Sequence, residues 1–125
     1  MPELETVLYR RDDSIAHIVL NRPERRNALN HQLLDDLDAA LQLAEDDPEV
    51  LVVVVSGNGT SFCSGYDLGG SYYISPPAEG EWTVTSSLRT LRDIERRYLR
   101  LWNCPKPTIA QVHGYAIAGG CYLQM

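Results

Sequence analysis

Two glycine-bearing stretches carry the residues that could do chemistry. In SFCSGYDLGG (61–70), Cys63, Ser64 and Asp67 stand among Gly65, Gly69 and Gly70, directly after an apolar run. In HGYAIAGGCY (113–122), His113 precedes the pair Gly119-Gly120. Loops of this kind suit three chemistries: a phosphate cradle, a seat for a nucleophile, or exposed main-chain N–H groups that hold an anionic oxygen.

A phosphate loop of the G-x-x-x-x-G-K-[ST] type needs a lysine after its glycines, and a dinucleotide fingerprint needs G-x-G-x-x-G with an acidic residue further on. GNGTSFCSG has no such lysine, and HGYAIAGG has neither that spacing nor the acidic residue. Ser64 lies in C-S-G, one glycine short of the G-x-S-x-G elbow. His113 and Asp67 are available as partners, so a serine hydrolase using Ser64 stays open as an alternative, to be decided by geometry. The main-chain option asks only for what both stretches share. Each ends a β-rich run in a glycine turn, where the missing Cβ lets a ligand approach the backbone. The second turn opens a helix, whose first N–H groups lack intrahelical partners and carry the positive end of the helix dipole. If strands 50–55 and 108–112 are neighbours, both turns face one crevice at their carboxyl ends. Two converging N–H groups there make an oxyanion hole. Plain tight turns would use the same glycines.

The elements that must position these turns are readable. ETVLYR and SIAHIVL form a β-hairpin with its turn near Asp12 and Asp13. NRPERRNALN is an ordered loop, and Asn30 caps a helix on which Leu33, Leu34, Leu37, Leu41 and Ala44 recur at helical spacing, with Asp35, Asp36 and Asp38 on other faces. EDDP ends that helix at Pro48. VLVVVVSG (50–57) is a continuous β-branched run, expected to be a strand buried on both faces of a parallel sheet. GSYYISPPAEGEW (70–82) is a proline-broken surface excursion. A second helix over 83–102 buries Leu88, Leu91, Ile94, Tyr98 and Leu101, and NCPKP stops it. The rest gives a strand, a glycine turn and the opening of a helix. Strand and helix alternate, so the class is α/β.

The 125 residues suffice for one modest core, with 44% hydrophobic and 22% charged residues. A net charge of −6 argues against a nucleic-acid or anionic-membrane surface. Arg89, Arg92, Arg96, Arg97 and Arg100 cluster on the second helix and read as a solvated face. Cys63, Cys104 and Cys121 are an odd set without ligand spacing, which argues against disulfides and structural zinc and for a reducing cytoplasm. No signal peptide or membrane-length run is visible. The chain stops soon after its last helix begins, so truncation is expected.

IAHIVLNRPERRNALN, VLVVVVSGNGTSFCSGYDL and PKPTIAQVHGYAIAGGCYL, in this order and spacing, resemble the enoyl-CoA hydratase/isomerase (crotonase) superfamily along nearly the whole chain. The resemblance implies the N-terminal half of a crotonase (ClpP-like) spiral of β-β-α units. It implies binding of an acyl-CoA thioester, whose oxygen two backbone N–H groups hold as an enolate or related oxyanion forms. By motif position these belong to Tyr66 and Gly119, within a substrate loop of Ser64, Gly65, Tyr66, Asp67 and Leu68. Asp67 is read as ordering that loop. RPERRNAL matches the segment that wraps the nucleotide end of coenzyme A, placing Arg25, Arg26, Asn27 and Ala28 near it. Tyr122 stands where hydratases of the family carry a catalytic glutamate, and a second acidic residue belongs beyond Met125. A phenol with pKa about 10 is a poor base but can donate a proton or line an acyl pocket. No metal or further cofactor is implied, coenzyme A being part of the substrate. Trimers or hexamers are implied for the full-length protein. The missing glutamate leaves a second alternative, a catalytically inert acyl-CoA-binding or interaction protein.

Overall fold

The computed structural model describes residues 2–68 and 83–125. The excursion expected over 70–82 lies outside the described residues.

β1 (Val7–Asp12) and β2 (Ile15–Leu20) form the antiparallel hairpin, closed by Asp13 and Ser14. Asp13 adopts φ 52°, the positive value such a two-residue turn demands and aspartate tolerates. α1 (His31–Asp46) begins at Asn30, whose side chain accepts the Leu33 N–H at 2.8 Å. The predicted leucines and Ala44 are all buried. At its other end, Lys106 Nζ donates to the carbonyls of Ala44 and Asp47, placing a cation where the helix dipole is negative. β3 (Val52–Gly57) and β4 (Thr108–Gln111) add in parallel, giving the order β1-β2-β3-β4. α2 (Val84–Tyr98) starts at a Thr83–Ser86 capping box, and α3 (Gly119–Gln124) ends the chain.

Three expectations need correction. β3 is not buried on both faces. Val53 and Val55 are buried with Ala16, Ile18 and Leu20 beneath α1, whereas Val52 and Val54 are half-buried and Leu8, Ile15 and Ile109 on the same side are exposed. Burial is set by what packs on a strand, and α1 covers one side. Second, α2 ends at Tyr98, and Leu88 and Leu91 are 47% and 57% exposed. Its C-terminal half joins the core through Tyr98, with Ile94 packed against it, and Leu101 follows just past the helix end. Third, Asp36 is buried. Its Oδ2 accepts from the N–H groups of Glu5 and Thr6 and from the Thr6 hydroxyl, and Oδ1 accepts from Gln32.

Because β2, β3 and β4 are parallel neighbours, the loops leaving them emerge side by side at one edge of the sheet. Both glycine-bearing stretches lie there.

Candidate active site

The three loops are laced together by backbone hydrogen bonds. On one flank Ser64 N–H donates to Arg26 C=O (3.0 Å), Leu29 N–H to Gly65 C=O (2.7 Å) and Asp67 N–H to Leu29 C=O (2.9 Å). On the other, Phe62 donates to His113 (2.8 Å), Cys63 to Tyr115 (3.0 Å) and Ile117 to Cys63 (3.0 Å). Two short parallel bridges result, Leu29 with Tyr66 and Cys63 with Ala116. The loops thus repeat the lateral order of β2, β3 and β4.

This lacing aims the Tyr66 peptide. Leu29 bonds the residues on either side of Tyr66, so the N–H and C=O of Tyr66 point away from the 22–29 loop. Gly65, at φ 95°, lies flush against the second turn: a Cβ there would stand 2.7 Å from Ile117 C=O and 3.3 Å from Ala118 Cβ. Gly120 meets it from the other side, where a Cβ would fall 2.3 Å from Cys63 C=O. Between them Ala118 sits at φ 49°, ψ −112°, a strained backbone for a residue with a Cβ. In the turn that follows, Gly120 N–H donates to Ile117 and the Cys121 and Tyr122 N–H groups donate to Ala118. The Gly119 N–H finds no acceptor among the described residues.

An aromatic wall stands beside this junction. Tyr98, at the end of α2, is buried, and a Cβ on Gly119 would lie 3.0 Å from its hydroxyl oxygen. Its ring meets Tyr66 edge-on at 5.8 Å and Tyr122 at 5.5 Å. Tyr122 is itself 54% exposed. Sequence spacing placed Tyr98 in the apolar stripe of α2 and gave no sign of its nearness to Gly119. A core tyrosine and a site tyrosine look alike at that level.

The remaining predicted residues fall into two groups. Arg25, Arg26 and Leu68 are exposed, and neither arginine has a carboxylate within 4.0 Å among the described residues. Asn27 and Ala28 are buried. The Asn27 amide donates to Asn58 C=O (2.9 Å) and Ser61 C=O (3.0 Å), while its oxygen accepts the Arg22 N–H (2.8 Å). Cys63 Sγ donates to Asn27 C=O, and burial pushes its thiol up to about 11, so it is not a thiolate at neutral pH. Ser64 is not brought to a base. Its hydroxyl faces Arg25 C=O at 3.4 Å, His113 Nε2 is 2.7 Å from Gly59 C=O, and Asp67 pairs with Arg22 at 3.0 Å. That Arg22–Asp67 pair spans 45 residues and was not visible in the sequence. Of the arginines expected on the second helix, Arg97, on α2, and Arg100, just past its end, are not merely solvated: they pair with Asp35, Asp38 and Glu45 of α1. Among the described residues, no three His, Cys, Asp or Glu side chains gather closely enough to ligate a metal ion, and no helix is long and apolar enough to cross a membrane.

A profile of the enoyl-CoA hydratase/isomerase family matches residues 10–125. The chain belongs to that family. The chain is 37% identical over 126 residues to a probable enoyl-CoA hydratase of Mycobacterium tuberculosis, covering 100% of the chain and 46% of that protein. It is 34% identical over 121 residues to the peroxisomal Delta(3,5)-Delta(2,4)-dienoyl-CoA isomerase of Arabidopsis thaliana, covering 94% and 44%. Among solved structures, an enoyl-CoA hydratase/isomerase from Xanthobacter autotrophicus Py2 superposes with a TM-score of 0.82 at 40% identity over 97% of the chain and 43% of that structure. An enoyl-CoA hydratase from Mycobacterium smegmatis superposes with the same TM-score at 32% identity, over 98% and 44%. The chain has the fold of the N-terminal half of these proteins and spans less than half their length.

Proposed function

We propose that this chain is the carbonyl-polarising half of an acyl-CoA enzyme of the enoyl-CoA hydratase/isomerase type. The Tyr66 and Gly119 N–H groups hold the thioester oxygen while negative charge develops on it. The observation that carries this reading is the contact between the two turns, with Gly65 packed on Ile117 and Ala118 and the Gly119 N–H left without a described acceptor. Donors fixed in advance in a water-poor site cost no reorganisation during reaction, and each is worth about 3–4 kcal/mol at the transition state. Tyr98 and Tyr122 then wall the hole on the acyl side. Arg25 and Arg26, exposed beside the loop that carries Tyr66, are available to the phosphates of coenzyme A. Asn27 and Ala28 serve the same segment from inside, by fixing its course. The assembled protein is a trimer or hexamer on this reading.

One observation favours a second reading. Tyr122 offers a phenol where an acid–base carboxylate is expected, which suits an acyl-CoA-binding protein without turnover. A panel of acyl-CoA thioesters separates the two: turnover of any member removes the inert reading. The oxyanion assignment has its own test. Gly119→Pro deletes one N–H at the first helical position, where proline is tolerated, while Gly119→Ala adds similar bulk near Leu29 and Tyr98 and keeps the donor. Gly119→Pro is expected to lower kcat on the order of 100-fold relative to Gly119→Ala. Equal rates in the two variants would overturn the assignment.

A further inference from the structure

We infer that Arg22 is a positioning residue for the Tyr66 amide, acting as a latch between the 22–29 loop and the 61–67 loop. Its effect on turnover rests on the function proposed above; the latch itself does not. The Arg22 and Asp67 side chains are each only 12% exposed. One arm of the guanidinium donates to Ala28 C=O, the other to Asp67 Oδ2 at 3.0 Å. Ala28 precedes Leu29 and Asp67 follows Tyr66, so the two bonds bracket the Leu29–Tyr66 bridge. The base of the latch is fixed as well. Arg22 N–H donates to Asn27 Oδ1, Asn27 N–H donates to Arg22 C=O, and the Asn27 amide reaches Asn58 and Ser61 at the exit of β3.

The peptides on both sides of Tyr66 are therefore held: the Gly65–Tyr66 peptide, which carries the Tyr66 N–H, by Leu29 N–H on its C=O, and the Tyr66–Asp67 peptide by Leu29 C=O on its N–H, while Arg22 holds the Asp67 carboxylate. Tilting the Tyr66 N–H turns the Gly65–Tyr66 peptide and would have to break the bond from Leu29 N–H to Gly65 C=O, the bridge that Arg22 holds in register from Ala28 and Asp67. A planar fork bonds two fixed acceptors at once, whereas a lysine presents one point charge. The demand is steep, because donors to a reacting oxygen must be held within about 0.5 Å and 10–20° of their productive direction.

The test uses the full-length protein, with Arg22→Met, Arg22→Lys, Asp67→Asn and the Arg22→Met/Asp67→Asn double variant. Two quantities are read: kcat and KM on the best acyl-CoA thioester, and amide hydrogen exchange of the 64–67 segment. A displacement of about 1 Å in such a site costs on the order of 100-fold, so Arg22→Met and Arg22→Lys are expected to lose that much in kcat. KM is expected to stay within about twofold, since binding itself is untouched. The double variant is expected to lose no more than the worse single one, because both changes open one latch. Exchange in 64–67 is expected to rise about tenfold while β3 stays protected. Multiplying losses in the double variant, or unchanged exchange in folded Arg22→Lys, would overturn the latch. If the unmodified protein turns over no acyl-CoA thioester, the proposed function fails and the exchange result alone decides the latch.

Discussion

Asp36 shows how a single carboxylate can tie an N-terminal segment to a helix. Burial alone would push its carboxyl up, but the hydrogen bonds from Thr6, Gln32 and Glu5 together hold it below the ordinary carboxylate range. Asp36→Ala leaves the Thr6 hydroxyl and two N–H groups without their acceptor and is expected to cost about 3 kcal/mol. A group whose folded pKa is depressed contributes fully above its unfolded value and loses that contribution as pH falls through the folded one. The gap in urea midpoint between the natural chain and Asp36→Ala should therefore be widest at neutral pH and narrow below about pH 4. A gap independent of pH would contradict the role given to the charge. Its residue type suggested an outer face, although at about 100° per residue Asp36 lies only about 60° from Leu33, at the edge of the leucine stripe. Gln32 is one turn away, but Thr6 and Glu5 lie 30 and 31 residues upstream, and no local pattern announces them.

At the scale of elements, the sequence was most legible where the controlling forces are local. The hairpin turn, the Asn30 cap, the leucine stripe of α1 and the glycine opening of α3 each depend on residues within a few positions of one another. The coverage of β3 and the apolar stripe of α2 depend on distant partners, and there the expectations failed. The asymmetry of β3 is measurable. Val53 and Val54 are adjacent and chemically identical, but Val53 is fully buried and Val54 is half-buried. Threonine keeps the shape of valine and adds a hydroxyl that needs a partner. Val53→Thr is expected to cost about 2 kcal/mol. Val54→Thr should stay within about 0.5 kcal/mol. Equal losses on denaturant unfolding would mean that both faces are covered, as the unbroken valine run first suggested.

At the scale of the molecule, the convergence of the two glycine turns could be foreseen from strand order. The groups that hold the convergence in place, Arg22 on Asp67 and Tyr98 against Gly119, join residues far apart in the chain. α2 is secured in the same long-range way. Arg100 donates from Nη1 and Nη2 to the two carboxylate oxygens of Glu45, at 2.6 and 3.1 Å, and from Nε to Asp38. The Arg100 and Glu45 side chains are 22% and 14% exposed, so this bidentate pair is shielded from solvent more than a surface ion pair is. Arg100 follows Tyr98 by two residues in the chain. Arg100→Ala strands a half-buried carboxylate and is expected to cost about 2 kcal/mol and to raise amide exchange at the C-terminal end of α2. Arg96→Ala, which among the described residues breaks the exposed ion pair with Asp93, should cost less than about 0.5 kcal/mol. The hydrogen bond from Arg100 is the main cause that holds the Glu45 carboxyl below its ordinary value. The penalty of Arg100→Ala should therefore be full at neutral pH and fade as acid protonates Glu45 in the folded protein, below about pH 4. Equal stability of the Arg96 and Arg100 variants at neutral pH would show that α2 is held by its apolar end alone.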